Sequence, residues 1–266
     1  MTTVAITPVY NEERVIVSVL ERIRPHVDAL IISNDGSTDS TGRRIEDWRR
    51  GQPGVYVISA RRNAGASMAL KKGYALVAHL LGQGVLAPDD PVVEIDSDGQ
   101  HDPVYIPALV ARYRGAAGAR VILAQRDFHG YPAIKIWGNR FLTAAASLLA
   151  GTRYRDVESN YRVMGARVFP ELLRYFWGYR YSGAFEVGII LGRLRYRTDN
   201  TEIVRVPYYR AGSRPIDGFH VLGAGLVAWW RLVARRPRQD AEALIREVLT
   251  EVSWPEAAGA LAGVRQ

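Results

Sequence analysis

At 266 residues and 48% hydrophobic content the chain is long enough to bury the core of one generous domain, and without cysteine it can hold neither a disulfide framework nor a thiolate-ligated zinc or iron–sulfur site. Its 35 Lys and Arg against 27 Asp and Glu give a formal charge of +8, which favours anionic partners. No basic arm, zinc-finger spacing or aromatic RNA-binding signature accompanies that charge, so nucleic acid is not expected, and phosphorylated substrates or acidic lipid are.

The opening MTTVAITPVY lacks the basic segment and apolar run of a secretory leader, so no export is expected. Residues 4–7 read as a first strand ending at Pro8. Residues 13–27 read as a helix, with Val15, Ile16, Val19, Leu20 and Ile23 at helical spacing. A strand at 29–33, the turn Asn34-Asp35-Gly36-Ser37, a helix to about Arg50, a strand at 55–59 and a helix at 67–81 follow. A fourth strand at 91–95, a helix at 104–114 and a strand at 120–124 complete the alternation. Such alternation predicts an α/β fold, a Rossmann-like, mainly parallel central sheet flanked by helices.

The second half is less regular: an amphipathic helix at 134–150, a strand at 161–164, helices at 167–176 and 185–194, and a strand at 201–207. This half is expected to shape the acceptor side. The apolar stretch 221–230 is followed by Arg231, Arg235, Arg236 and Arg238, well short of the roughly 20 apolar residues a spanning helix needs. Residues 219–233, with Trp229 and Trp230 beside Arg231, read either as an interfacial helix among lipid headgroups or as a buried core helix. A surface helix at 241–252 and a frayed end after Pro255 are expected.

In an open parallel sheet, ligands collect beyond the carboxyl ends of the strands. Here those ends are polar: Pro8-Val9-Tyr10-Asn11-Glu12, Asn34-Asp35-Gly36-Ser37-Thr38-Asp39, Arg62-Asn63-Ala64-Gly65 and Asp96-Ser97-Asp98-Gly99-Gln100. Asp96 and Asp98, one residue apart after an apolar strand, suit Mg²⁺ or Mn²⁺ with a diphosphate completing the coordination; the alternative is a pair of solvated loop carboxylates. Asp35 reads as a turn former, as an acceptor for a base N–H, or as both. Asn63 and Gly65 precede a helix and could offer backbone amides to a nucleotide. With neither a Gly-Lys-Ser/Thr loop nor Gly-x-Gly-x-x-Gly present, ATPases and dehydrogenases are disfavoured.

This ordered set resembles the inverting glycosyltransferases of the GT-A fold (family 2). Downstream, Arg126, Asn139-Arg140, Asp156 to Arg162 and the run Val206-Pro207-Tyr208-Tyr209-Arg210-Ala211-Gly212-Ser213-Arg214 are similar to dolichol-phosphate mannose synthases and related polyprenyl-phosphate glycosyltransferases. The resemblance covers roughly residues 3–215, and 216–266 are expected to form a C-terminal helical extension packed on the same domain. It implies a donor that is a GDP- or UDP-sugar, with Pro8, Tyr10, Glu12, Asp35 and Asn63 around the nucleotide, Asp96 near ribose and metal, and Asp98 and Gln100 on the metal.

A polyprenyl phosphate attacking with inversion is already ionised and needs no base. Asp98, Arg126, Arg140 and Arg210 are then expected to act on the reaction itself, and Arg162, Ser213 and Arg214 on the acceptor. A peripheral site on the cytoplasmic face of a membrane follows. Asn34, Ala66, Ser67, Gly188 and Arg214 depart from the family pattern. Alternatives are a hydroxyl acceptor, with Glu158 or Glu186 as base, a sugar-phosphate nucleotidyltransferase, and a binding protein without turnover. His129 and His220 are candidate extra metal ligands.

Overall fold

The computed structural model describes residues 1–115, 120–208, 217–238 and 240–255. Strands β1 (Val4–Val9), β2 (Ala29–Asn34), β3 (Val55–Ser59) and β4 (Pro91–Glu94) are almost continuously apolar and buried, as strands covered on both faces must be. Successive residues point to opposite sides. Val4 and Ile6 meet α3 (Ala66–Gly82), whereas Ala5 and Val9 meet α1 (Ile16–Ile23), α2 (Thr41–Arg49) and α4 (Ile106–Arg114).

The chain steps outward from β1 to β2 to β3, all parallel, and α3 then crosses back to lay β4 parallel to β1 on its other side. The carboxyl ends of β1 and β4 therefore flank the point where strand order reverses, where a crevice opens. Beyond β4 the sheet continues through β7 (Arg162–Gly165), β5 (Arg120–Leu123) and β8 (Arg197–Asp199). Because β7 is antiparallel to β4, with Arg162 opposite Glu94, the segment entering β7 arrives at that same crevice. The sheet is mostly parallel, the α/β architecture expected.

Several boundaries differ from the sequence reading for local reasons. The first helix starts at Ile16, because the amides of Val15 and Ile16 turn onto the Glu12 carbonyl, and it ends in a 3₁₀ turn at Pro25, which has no N–H to donate. The strand expected at 201–207 is shortened to β9 (Ile203–Arg205), which pairs with β6 (Gln125–Asp127), and β8 before it was not expected; the Asp199 carboxylate takes the Thr201 amide and hydroxyl in the turn between them. Helix α9 (Ala241–Glu251) is followed by a short strand, β10 (Val252–Ser253), antiparallel to β3. Lys72, 6% exposed, fastens α9 with Nζ at 2.6 Å from Glu251 and 3.0 Å from Glu247. The end after Pro255 lies outside the described residues.

A third apolar cluster joins α5 (Ala133–Ala150), α7 (Gly183–Arg193) and α8 (Asp217–Val233). Val221 is buried in it, Ala224 and Ala228 are buried as well, Ala228 in the cluster around α3, while Phe219, Leu226 and Trp230 stay exposed, so α8 is both a core helix and an apolar surface. At Gly225 a Cβ would stand 2.2 Å from Phe185 Cε1 and 2.9 Å from Ile189 Cδ1. Gly225→Ala is accordingly expected to lower stability by about 1–3 kcal/mol through overpacking, read from the midpoint of a urea denaturation curve.

Candidate functional site

The crevice is built first from the loops after β1 and β2. Asn11, at φ 52°, accepts the Thr38 amide (2.8 Å) and donates its own amide to Ser37 Oγ (3.0 Å). Glu13 and Asp39 tie the same loops again, Glu13 accepting the Ser40 amide and Asp39 the Glu13 amide. Tyr10 is left exposed and Glu12 half-buried at the rim. Gly36 sits at φ 66°, where a Cβ would meet the Arg62 backbone at 2.5 Å, so only glycine lets the β2 and β3 loops close on each other.

Asp35 is buried, and its oxygens take the amides of Ala64 (2.9 Å) and Gly65 (2.7 Å). Burial nonetheless holds its carboxyl above the usual range. Of the two amides that the sequence left open to a nucleotide, that of Gly65 is thus spent on Asp35, because the first acidic group within its reach is the chain's own. Asn63 itself remains exposed. Ser67, one of the departures from the family pattern, accepts the Gly183 amide and donates its own amide to the Arg180 carbonyl, clamping the loop to the segment before α7.

At the end of β4, Ser97 donates to the Pro8 carbonyl (2.7 Å), which pins the acidic turn over β1. Asp98 Oδ1 accepts the Gln100 amide (2.9 Å), and Gly99 turns the chain at φ 80°. The Asp96 amide donates to His101 Nδ1, fixing the ring with its proton on Nε2, and the ring stacks on Tyr161. Asp96 and Asp98 are both half-buried at the crevice. Two carboxylates and the Gln100 amide on one short turn are hard oxygen donors throughout, a set that fits Mg²⁺ or Mn²⁺. His129 is exposed after β6 and His220 half-buried on α8, and among the described residues no three His or acidic side chains converge.

Arg126 faces the crevice from β6, its guanidinium forked onto Asp156 (2.8 and 2.9 Å) and reaching Asn139 Oδ1 (2.7 Å). Arg162 lies elsewhere than expected. It is 1% exposed, its Nε 2.5 Å from the equally buried Glu94, so it cannot reach an acceptor; it braces the site instead, donating to Asn160, whose amide approaches Asp96 Oδ2 at 3.4 Å. Arg140 is exposed on α5 and stacks over Trp137. Arg210, Ser213 and Arg214 lie outside the described residues.

Two further acids remain, Glu186 buried and Glu158 half-buried. Glu186 accepts from the Trp177 amide and the Ser182 hydroxyl, so it organises the loop before α7. Glu158 is different: its enclosed Oε1 has no hydrogen-bond partner, and burial pushes its carboxyl up to about 7, against the opposing pull of Arg126. The sequence did not mark Asp156 and Asn160 as the partners of Arg126 and Asp96. Their only signal was the polar run between Asp156 and Arg162.

Comparison with known proteins gives the family and the fold. The glycosyl transferase family 2 profile matches residues 4–185, more than half of the chain. A UDP-N-acetylglucosamine–dolichyl-phosphate N-acetylglucosaminyltransferase of Methanococcus voltae is 28% identical over 207 residues, covering 70% of this chain and 78% of that protein. An undecaprenyl-phosphate mannosyltransferase of Micrococcus luteus is 27% identical over 175 residues, covering 62% and 67%. In fold, the chain is similar to glucosyl-3-phosphoglycerate synthase of Mycobacterium tuberculosis, solved with Mn²⁺, UDP and phosphoglyceric acid, with a TM-score of 0.61 and 21% identity over 87% of this chain and 78% of that one.

Proposed function

The chain belongs to glycosyl transferase family 2 and is a glycosyltransferase, and we propose that it moves a sugar, with inversion, from a UDP- or GDP-sugar to a polyprenyl phosphate at a membrane surface. The nucleotide lies across the β1–β4 switch point, with Pro8, Tyr10, Glu12 and Asn63 at its rim and Asp35 holding the loop beneath it. Asp96, Asp98 and Gln100 hold a divalent ion that, when bound, neutralises the charge developing on the leaving diphosphate. Arg126, kept rigid by its fork onto Asp156, presents positive charge to the same crevice, and Arg140, Arg210, Ser213 and Arg214 receive the anionic acceptor.

One observation carries the acceptor: α5, and α8 beyond its first residue, Asp217, contain no acid and present apolar side chains outward. Ile134, Trp137, Phe141, Phe219, Leu226 and Trp230 are exposed, and no Asp or Glu occurs in 128–155 or 218–238. Arg140 and Arg236 stack over Trp137 and Trp230, the mixture of aromatic and cationic groups that suits a headgroup region. Among the described residues no helix is long and apolar enough to cross a membrane, so contact is with the surface. The names of the two relatives, each of which acts on a polyprenyl-type phosphate, support the same acceptor. The test is incubation with UDP- and GDP-sugars, Mn²⁺ or Mg²⁺ and a polyprenyl phosphate. Release of nucleoside diphosphate with sugar appearing on the lipid supports the proposal; release to small hydroxyl acceptors alone overturns it.

Glu158 favours a second reading, a hydroxyl acceptor, because a carboxyl with one enclosed oxygen unpartnered and ionising near neutrality is suited to take a proton. The sign is definite: a base must be ionised, so transfer to a hydroxyl would fall as pH drops below about 7. Glu158→Gln would then lose roughly a hundredfold or more of the rate. With a lipid phosphate as acceptor, Glu158→Gln is expected to retain transfer and to show no such dependence. Rates of both proteins between pH 5 and 9 decide the matter, on the order of one measurement per half unit.

A further inference from the structure

The loop leaving α5 and the edge strand β8 line an open hollow of about 280 Å³, outside the acidic crevice. Three guanidiniums, Arg153, Arg155 and Arg197, line it, all on exposed residues. Among the described residues none of the three guanidiniums has a hydrogen-bond or ion-pair partner. The one carboxylate in the wall, Asp199, is already compensated, with Oδ2 2.8 Å from Arg112 Nε and Oδ1 2.6 Å from Thr201 Oγ1. Three like charges facing one hollow repel one another, whereas neighbouring Arg112, also exposed, is matched by Asp199 and Glu202. What the hollow lacks is an anion with several oxygens, which planar guanidiniums bind by paired hydrogen bonds.

The wall also leads inward. Asn200, 6% exposed, accepts the amides of Arg155 (2.6 Å) and Asp156 (3.0 Å) on Oδ1 and donates to the Leu123 carbonyl (2.7 Å). Asp156 is the residue that forks onto Arg126. One buried side chain thus ties the hollow's floor to the mount of a crevice arginine. We infer that this hollow is a second anion site, taking a phosphate group, and that occupancy stiffens the turn holding Asp156. The group comes either from a phosphorylated solute or from an anionic lipid headgroup, and the inference does not depend on which acceptor the crevice uses.

The experiment compares the full chain with an Arg153→Ala/Arg197→Ala variant, with EDTA present so that the acidic turn holds no metal. Inorganic phosphate and pyrophosphate are titrated calorimetrically, and binding to phosphatidylcholine vesicles is measured with and without phosphatidylglycerol. A solute site is shown by saturable phosphate or pyrophosphate binding that weakens roughly tenfold or more in the variant. A headgroup site is shown by loss of the phosphatidylglycerol-dependent part of vesicle binding alone. Identical behaviour of the two proteins toward both probes overturns the inference. Transfer without added phosphate is expected to persist in the variant, so failure here stays distinct from failure of the proposed reaction.

Discussion

Asp98→Asn is expected to reduce sugar transfer roughly a hundred- to a thousandfold while leaving the fold intact, measured as nucleoside diphosphate release alongside a thermal melt. Asn is the informative replacement because Asp98 has two roles. Its Oδ1 accepts the Gln100 amide and shapes the turn, a task an amide oxygen also performs, whereas its charge at the crevice is lost. Asp98→Ala removes both and should fall at least as far. The residue is half-buried on a turn that Ser97 independently pins to Pro8, so little stability is at stake. Wild-type turnover by Asp98→Asn would mean that the acidic turn is a solvated loop and that the charge compensating the diphosphate lies elsewhere.

The second large effect is on stability. Arg162→Ala is expected to cost about 3–5 kcal/mol, because it leaves Glu94 sealed in the sheet without its cation. Burial already holds the Glu94 carboxyl above its usual range, with Arg162 opposing, so removal of the guanidinium drives it toward the protonated form. In a chain of this size each kcal/mol moves the melting temperature by roughly 2–4 °C, giving a fall on the order of 10 °C. Replacing both partners together, Glu94→Leu with Arg162→Met, should recover most of it, since the cost belongs to the unpaired charge. A single variant that melts with the wild type would show that the pair is not closed as described. Asn160 would also lose its Arg162 contact, so transfer should weaken in the single variant even where it is folded.

The strand ends that line the crevice were legible in the sequence because they follow strands whose apolar runs are unmistakable. β1, β2, β3 and β4 each deliver a polar segment to one edge, and in a parallel sheet that edge is where ligands bind. What stayed hidden depends on pairings between distant segments. Arg162 read as an acceptor-binding cation because nothing local says that β7 runs antiparallel to β4 in a register opposing it to Glu94. Asp35 read as a nucleotide contact because its partners, the Ala64 and Gly65 amides, lie about a strand and a helix further on. Arg126 was chosen for its charge, yet its placement comes from Asp156 and, behind it, Asn200, whose polar side chain carries no signature of burial. Val252, the first residue of β10, was absorbed into a helical pattern, since so short a strand has no periodicity of its own.

That short strand changes how copies of this protein meet one another. A sheet has two rims, and a bare rim offers its unpaired backbone as a template on which a neighbour can crystallise into ordered aggregate. Here one rim is closed by the chain's own β10, and the other ends in three residues of β8 carrying an exposed Arg197, too brief and too charged to recruit a partner strand. The guard against lateral clumping and the acidic turn that does chemistry sit on different parts of the sheet. Damage to the tail should therefore give a protein that precipitates while each dissolved copy still works, and damage to the turn one that stays clear in solution and does nothing.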